Sequence, residues 1–374
     1  VGFYDSLVTF DHWLGKTWII STGLRVDGSR DEKYAQTQLA YWEQKLGAGV
    51  ESPGEPALCD TAPWAAHPWR ITSSLSPGGF ISAAERAQRY IRSGHIYQVN
   101  LSHRLSVAWP LLGWDFFKRL AAVSPAPFSA YLDCGEFQIV SSSPELFLRL
   151  SGQHIVTRPI KGTRPRSADP NRDAQLTYEL QTSPKEMAEL VMITDLLRND
   201  LGRVCEFGSV QVPELVRLER YAQVQHLVST IEGRLRPDVT HLAALASCFP
   251  GGSITGAPKI RAMEIIDELE PVTRGPYTGA LGYLGFNRES QLSILIRAGF
   301  SRRGELHFHV GAGIVADSNP AAEYEETMAK ARGFFSALGC ADSRGYGNPA
   351  TAKERISFAV KPTKSHKVPN EGLP

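Results

Sequence analysis

The chain has 374 residues, 42% of them hydrophobic and 21% charged, a composition that suits a soluble globular protein of one large domain or two smaller ones. Forty Lys and Arg oppose 39 Asp and Glu, for a net charge of +1, so no global field points to nucleic acid, a membrane surface or an acidic polymer. The five scattered cysteines form no C-x-x-C pair and no apolar run approaches the roughly 18 residues of a membrane span, so a reduced, cytoplasmic protein without a disulfide frame or zinc knuckle is expected.

Val1-Gly2-Phe3-Tyr4-Asp5 has neither the basic nor the apolar region of a signal peptide. Residues 1–30 alternate apolar and polar around Trp18, Ile19, Ile20, Leu24 and Val26, which predicts one or two strands. From Asp31 to Gly47, the residues Tyr34, Leu39, Tyr41, Trp42 and Leu46 suit an amphipathic helix ended by Gly47. Proline, glycine and serine dominate 48–79, a surface connection. Ser82 and Glu85 have capping-box spacing and predict a helix that runs to Arg92 and stops at Gly94. Ile96–Ser102 alternates as a strand, Trp109–Val123 reads as a helix, and Ser129–Leu132 and Phe137–Ser141 read as strands. In Ser143-Pro144-Glu145-Leu146-Phe147-Leu148, the glutamate precedes three apolar residues and is expected at the margin of a buried sheet. Alone, it is an ordinary turn carboxylate.

Arg158-Pro159-Ile160-Lys161-Gly162-Thr163 holds a lysine between a proline that fixes φ and a glycine that lets the chain turn and other groups approach. That presents one ammonium at a defined place, although lysines in such turns are ordinarily solvated. Ser183 then caps a strongly signed helix, with Pro184 in its first turn and Glu186 completing a capping box. Met187, Leu190, Val191, Thr194 and Leu197 form its expected core stripe, Glu189 lies on the edge of that stripe, and Gly202 suits a left-handed cap. Strands are expected around Val210–Val212 and Gln225–Thr230.

Phe249–Lys259 is a glycine-rich loop feeding a helix with Ile260, Met263, Ile266 and Leu269 as its stripe; such loops favour anions. Its spacing fits neither a P-loop nor a dinucleotide fingerprint, and a tight connection is the plain alternative. Strands are expected over Gly279–Phe286, Gln291–Arg297 and Glu305–Val310, the last running into Gly311-Ala312-Gly313, whose amides could meet a carboxylate. Asp317-Ser318-Asn319-Pro320 caps a final helix with Glu323, Glu326 and Lys330 on one face, beside Tyr324, Met328 and Phe335. Residues 341–374 lack periodicity and are expected to form a disordered polar tail. No internal repeat is present, and strands and helices do not alternate strictly. The expectation is therefore an α+β fold with mainly antiparallel sheets.

In chain order, the motifs Tyr97-Gln98-Val99-Asn100-Leu101, Ser143–Phe147, Pro159–Thr163, Asp195–Asp200, His226–Thr230, Gly251–Lys259, Ile294–Arg297 and Gly311–Ile314 resemble those of the chorismate-utilising enzymes. That family includes the synthase subunits of anthranilate and aminodeoxychorismate synthase and the isochorismate and salicylate synthases. The resemblance runs from about Tyr4 to Ala337 and implies one large sandwich of two packed sheets, with helices outside and the active site between them. It implies a chorismate-binding catalytic domain over 1–340 that is N-terminally short, so feedback through a tryptophan pocket is not assumed. Gln98 stands where isochorismate-type members carry a water-activating lysine, and Lys161 stands where they and anthranilate synthases carry alanine. That pairing resembles aminodeoxychorismate synthase component I, with Lys161 as nucleophile. A lysine reacts only when neutral, so burial is expected to be what suits it. The resemblance further implies Glu145 as the acid for the departing hydroxyl and His226 near that hydroxyl. It implies Mg2+ on Glu189 and Glu326, with Glu186 and Glu323 behind its waters. Chorismate would meet Ser253, Tyr277, Arg297, Lys330, Gly162, Thr163 and the amides of Gly311 and Gly313. No glutaminase-like Cys/His/Glu constellation is evident, so ammonia is expected from a separate glutaminase subunit, with no nucleic-acid or membrane partner.

Overall fold

The computed structural model describes residues 1–48, 69–221, 224–339 and, as backbone only, 356–360. The chain divides into two units, residues 1–62 and 63–374. In the first, β1 (Ser6–Asp11) and β2 (Lys16–Ser21) form an antiparallel hairpin, followed by α1 (Glu32–Gly47) with Asp31 as its N-cap. The apolar residues of α1 were expected to bury a stripe, yet none of its residues is buried.

The second unit begins with β3 (Trp69–Ser73), α2 (Pro77–Arg92), β4 (Gln98–Ala108), α3 (Gly113–Val123), β5 (Phe128–Asp133) and β6 (Gln138–Ser143). Next come β7 (Leu146–Ser151), β8 (His154–Arg158), β9 (Ile160–Pro165), α4 (Pro170–Gln181), α5 (Pro184–Gly202), β10 (Gln211–Arg220) and β11 (Val224–Arg234). After α6 (His241–Cys248), the two-residue β12 (Gly256–Ala257) and α7 (Lys259–Leu269) come β13 (Ala280–Leu284), β14 (Glu289–Ile294), β15 (Ala298–Arg302) and β16 (Glu305–Ile314). The unit ends with α8 (Pro320–Lys330), α9 (Arg332–Ala337) and β17 (Ile356–Val360). One sheet runs β17-β3-β4-β16-β15-β6-β5, with β12 beside β4, and the other runs β10-β11-β8-β7-β14-β13, with β9 beside β11. Apart from the parallel pair β17–β3, the described pairings are antiparallel. The tail expected over 341–374 otherwise lies outside the described residues.

Strand alternation fixes what each face does. On β16, Leu306, Phe308, Val310, Ala312 and Ile314 bury into apolar clusters shared with α2, α3, α7 and α9. The odd-numbered residues, ending in Gly311 and Gly313, therefore occupy the opposite face. The chain crosses between the sheets at Pro144-Glu145, from β6 to β7, and again at Leu295-Ile296-Arg297, from β14 to β15. The two crossings are hydrogen-bonded side by side: Ile294 N donates to Glu145 O at 3.1 Å and Ser142 N to Arg297 O at 3.0 Å.

Several helices differ from expectation. The helix expected at Ser82 starts six residues earlier, because Ser76 caps it by accepting from Gly79 N and Pro77 fits the first turn. On α5 the buried stripe is Leu190, Ile193, Thr194, Leu197 and Leu201; Val191 is exposed, and Gly202 is the last helical residue rather than a left-handed cap. On α7 the buried residues are Ala262, Ile265, Ile266 and Leu269, whereas Ile260 and Met263 face solvent. Lys259, at the start of α7, donates to Asp200 Oδ2 on α5 at 2.6 Å and to Cys248 O on α6 at 3.0 Å. Burial raises the Asp200 pKa against the pull of that lysine. Lys259→Met should therefore destabilise the fold by about 3–5 kcal/mol, because it leaves a buried charge uncompensated, which a denaturant midpoint would read.

Candidate active site

The paired crossings place Glu145 and Arg297 at the seam between the two sheets. Glu145 is buried and accepts a 2.5 Å hydrogen bond from Ser253 Oγ, on the short 3-10 turn of the glycine-rich loop. Burial pushes its pKa up to about 7, although Ser253, Lys161, the Ile160 amide and Arg297 pull the other way. A carboxyl in that state carries a proton it can give up near neutrality. Arg297 adopts a left-handed φ of 48°, and its guanidinium makes no hydrogen bond or ion pair among the described residues. Burial lowers its pKa, with Glu145 opposing. A partly buried cation of this kind is free to take an anion.

Lys161, Gly162 and Thr163 lie on β9 against β11. The register passes from Lys161↔Leu227 to Thr163↔His226, so Gly162 is an extra residue, a bulge at φ 68°. The bulge sets the directions of its neighbours. Lys161 turns inward, its side chain 12% exposed, with Nζ 3.5 Å from Glu189 Oε2. Thr163 Oγ1 lies 2.9 Å from His226 Nδ1, and Gly162 O lies 3.3 Å from the same nitrogen. His226 Nε2 is buried without a partner among the described residues. Burial and the Arg297 charge push the His226 pKa down to about 4, so the ring is neutral at pH 7. A Cβ at Gly162 would stand 2.6 Å from Leu180 Cδ1 and 3.2 Å from Glu186 Oε2. Gly162→Ala should cost about 1–3 kcal/mol from backbone strain alone, with the clash in addition, and should cut turnover by misdirecting Lys161. Thermal unfolding and initial rates would read the two effects separately.

Glu186 and Glu189 lie on α5, Glu323 and Glu326 on α8. Glu189 is nearly buried, and its pKa is raised by burial and the neighbouring Glu186 and Glu326 charges, against Lys161 and Lys185. Its Oε2 lies 3.6 Å from where a Cβ on Gly313 would be, and that Cβ would stand 2.3 Å from Gln98 Nε2, so a side chain there would have to displace the Gln98 amide. Glu323 is buried; its Oε1 accepts from Ser318 Oγ at 2.7 Å and Lys185 Nζ at 2.9 Å, and its Oε2 has no partner among the described residues. Lys330 Nζ donates to Gly311 O at 2.9 Å and pairs with Glu326 at 2.8 Å. Burial would raise the Glu326 pKa, but Lys330, with Lys185 and Lys161 beyond, lowers it overall. Glu186 accepts from Arg164 at 3.5 Å.

Among the described residues no three metal-ligating side chains form a ready cage. Magnesium requires none, since it keeps several waters and takes one or two carboxylates plus substrate oxygens. The mutual repulsion of Glu189 and Glu326 and the orphaned Glu323 Oε2 fit such an ion. Tyr277 stands apart from this group: it is buried in a cluster with Ile139, Leu295, Ala298 and Phe300 and stacks on His309. Sequence reading passed over Lys185, although it lies four residues before Glu189 and so shares its helix face.

A model of the chorismate-binding enzymes matches residues 1–336. Anthranilate synthase component 1 of Thermus thermophilus is 43% identical over 340 residues, covering 91% of this chain and 71% of that one. Aminodeoxychorismate synthase component 1 of Bacillus subtilis is 40% identical over 339 residues, covering 90% and 69%. Among solved structures, anthranilate synthase component I of Streptococcus pneumoniae superposes with a TM-score of 0.77 at 34% identity, covering 90% of this chain and 72% of that one. The two-sheet architecture is thus shared, and among described residues no helix is long and apolar enough to cross a membrane.

Proposed function

The chain belongs to the chorismate-binding enzyme family, and from that premise we propose that it is an aminodeoxychorismate synthase component I, which aminates chorismate at C4. The observation that carries this reading is Lys161, nearly buried and directed by the Gly162 bulge to the Glu189 carboxylate.

Lys161 Nζ, once deprotonated, bonds to C2. Both ring double bonds shift, C1=C2 to C1=C6 and C5=C6 to C4=C5, the C4–O bond breaks, and Glu145 gives its proton to the departing hydroxyl, which leaves as water. Ammonia then bonds to C4, both double bonds shift back, the C2–N bond breaks to restore the Lys161 amine, and the surplus proton of the new C4 ammonium returns to Glu145. Glu145 suits its part because burial keeps it protonated near neutrality. Neutral His226, held through Nδ1 by Thr163 and Gly162, keeps Nε2 available beside the seam. Arg297, Ser253, Tyr277 and the Gly311–Gly313 strand are assigned to chorismate's carboxylates, with Lys330 buttressing that strand through Gly311 O. Mg2+ held by Glu189 and Glu326, with Glu186 and Glu323 behind its waters, would neutralise the ring carboxylate and draw electrons from the ring. The ammonia is assigned to a separate glutaminase subunit.

Chorismate, Mg2+ and an ammonium salt, supplied with a lyase that converts the product to 4-aminobenzoate, test the reading. 4-Aminobenzoate that appears only with the lyase is the expected result. The second reading, anthranilate synthase component I, is favoured by the Thermus thermophilus relative, and directly fluorescent anthranilate formed without the lyase would establish it instead.

A further inference from the structure

The Tyr277 hydroxyl makes no hydrogen bond among the described residues, yet its ring is fixed from several sides. We propose that His309 is a positioning residue of the substrate pocket: its imidazole fixes the Tyr277 ring beside the Gly311–Gly313 strand and thereby sets substrate affinity. The inference rests on the reading of Tyr277 as a chorismate-binding residue and deepens it.

His309 lies on β16 two residues before Gly311 and so shares the face of Gly311 and Gly313. The His309 and Tyr277 rings stack with centroids 4.9 Å apart and planes 9° apart. Packing alone does not explain an imidazole there. His309 is 3% exposed, and neither ring nitrogen has a hydrogen-bond partner among the described residues, a costly way to fill a core. The other face of the same strand is filled by Leu306, Phe308 and Val310. Burial, with Arg104 and Arg274 nearby, keeps the ring neutral, so the contact with Tyr277 is a stack of two uncharged rings.

The backbone beside Tyr277 gives an independent sign. Thr278, β-branched and buried, sits at φ 64°, where such residues rarely go. It is held there by its amide donating to Leu295 O at 2.8 Å and by Arg274 Nη1 reaching its hydroxyl at 3.5 Å. The same Arg274 guanidinium lies 5.7 Å from the Tyr277 ring centroid. Strain of this kind persists where the surroundings over-determine a conformation, and it gathers at ligand sites. Thr278 fixes the backbone, the Arg274 guanidinium sits over the ring at 5.7 Å, and His309 supplies the flat surface that selects the ring's plane.

The test is steady-state kinetics of the native chain, His309→Ala and His309→Phe with chorismate, Mg2+ and ammonium. The 19F spectrum of 3-fluorotyrosine-labelled protein is recorded alongside, with the Tyr277 line assigned by Tyr277→Phe. His309→Ala should raise KM for chorismate about tenfold, as loss of an aromatic pair allows. Its kcat should stay within about twofold and the Tyr277 resonance should shift, whatever the vacated volume costs in thermal midpoint. His309→Phe, which keeps a stacking surface, should recover most of the affinity. A native KM and an unmoved Tyr277 line in His309→Ala would overturn the inference alone. So would a fall in kcat and thermal midpoint at unchanged KM, the mark of a purely structural role. Failure of the native chain to bind or convert chorismate would overturn the underlying reading, and the inference with it.

Discussion

Lys161→Ala is expected to lower aminodeoxychorismate formation by roughly 10²-fold or more, because it removes the amine proposed to bond to C2. The loss should appear in kcat, since Arg297, Ser253 and the glycine strand, the groups proposed to bind the carboxylates, are untouched. A charge effect is the obvious objection, because Lys161 is also the counterion of Glu189 at 3.5 Å, and both side chains are nearly buried. Lys161→Arg separates the two roles. A guanidinium keeps the positive charge but does not deprotonate, so it cannot add to carbon. An arginine variant that folds like the native chain and makes no 4-aminobenzoate would tie activity to the amine rather than to its charge. Native rates in either variant would sink the nucleophile assignment. The expected burial of Lys161 appears in the structure through a feature its motif only hinted at: Gly162 forms a bulge that directs the side chain, rather than a free turn that displays it.

The parts of the fold that local chemistry controls were legible. Ser183 and Glu186 marked the start of α5, Asn319 and Pro320 the start of α8, and alternation marked β16. Failures came where two local signals competed or none was present. Ser76-Pro77-Gly78-Gly79 reads as loop, yet Ser76 and Pro77 are a sound helix start, and the Ser82 box lies inside the helix they open. On α7, Ile260 and Met263 outweighed the small Ala262, although the small residue is the one that lets α7 pack closely against β4 and α2. Strands β8 and β15 and helices α4 and α6 carried no pattern strong enough to be named. The site itself is mostly non-local. No periodicity in Ser143–Leu148 or Ile294–Arg297 indicates that the two segments hydrogen-bond side by side, which is what brings Glu145 and Arg297 together. Their residue types came from the family resemblance, and their arrangement came from the two sheet crossings. His309 was invisible for the same reason, since its partner, Tyr277, lies on a different segment.

Glu145→Gln should separate catalysis from stability. Burial pushes this carboxyl from an ordinary 4.5 up to about 7, so the folded chain holds a proton the unfolded chain has released between those values. The folded state binds more protons in that window, and the stability contributed by Glu145 therefore falls as pH rises from about 4.5 to about 7, then stays level. The gap between 4.5 and about 7 is worth roughly 3 kcal/mol at about 1.4 kcal/mol per pH unit. Glutamine carries no charge to desolvate and can still accept from Ser253. The variant should therefore unfold at higher denaturant than the native chain at pH 8, by up to about 3 kcal/mol, and at nearly the same denaturant at pH 4. Its chemistry should move the other way. Without a proton to give the departing hydroxyl, turnover should fall by about 10²- to 10⁴-fold, and the decline of the native rate as pH rises through 7 should vanish from the profile. Equal stability of the two proteins at pH 8 would mean that Glu145 is not held protonated by burial. A variant as fast as the native chain, with the same pH profile, would mean that the proton comes from elsewhere. A gain of stability coupled to a loss of rate is the signature of a group kept in a costly state for its chemistry, and no packing role predicts both signs at once.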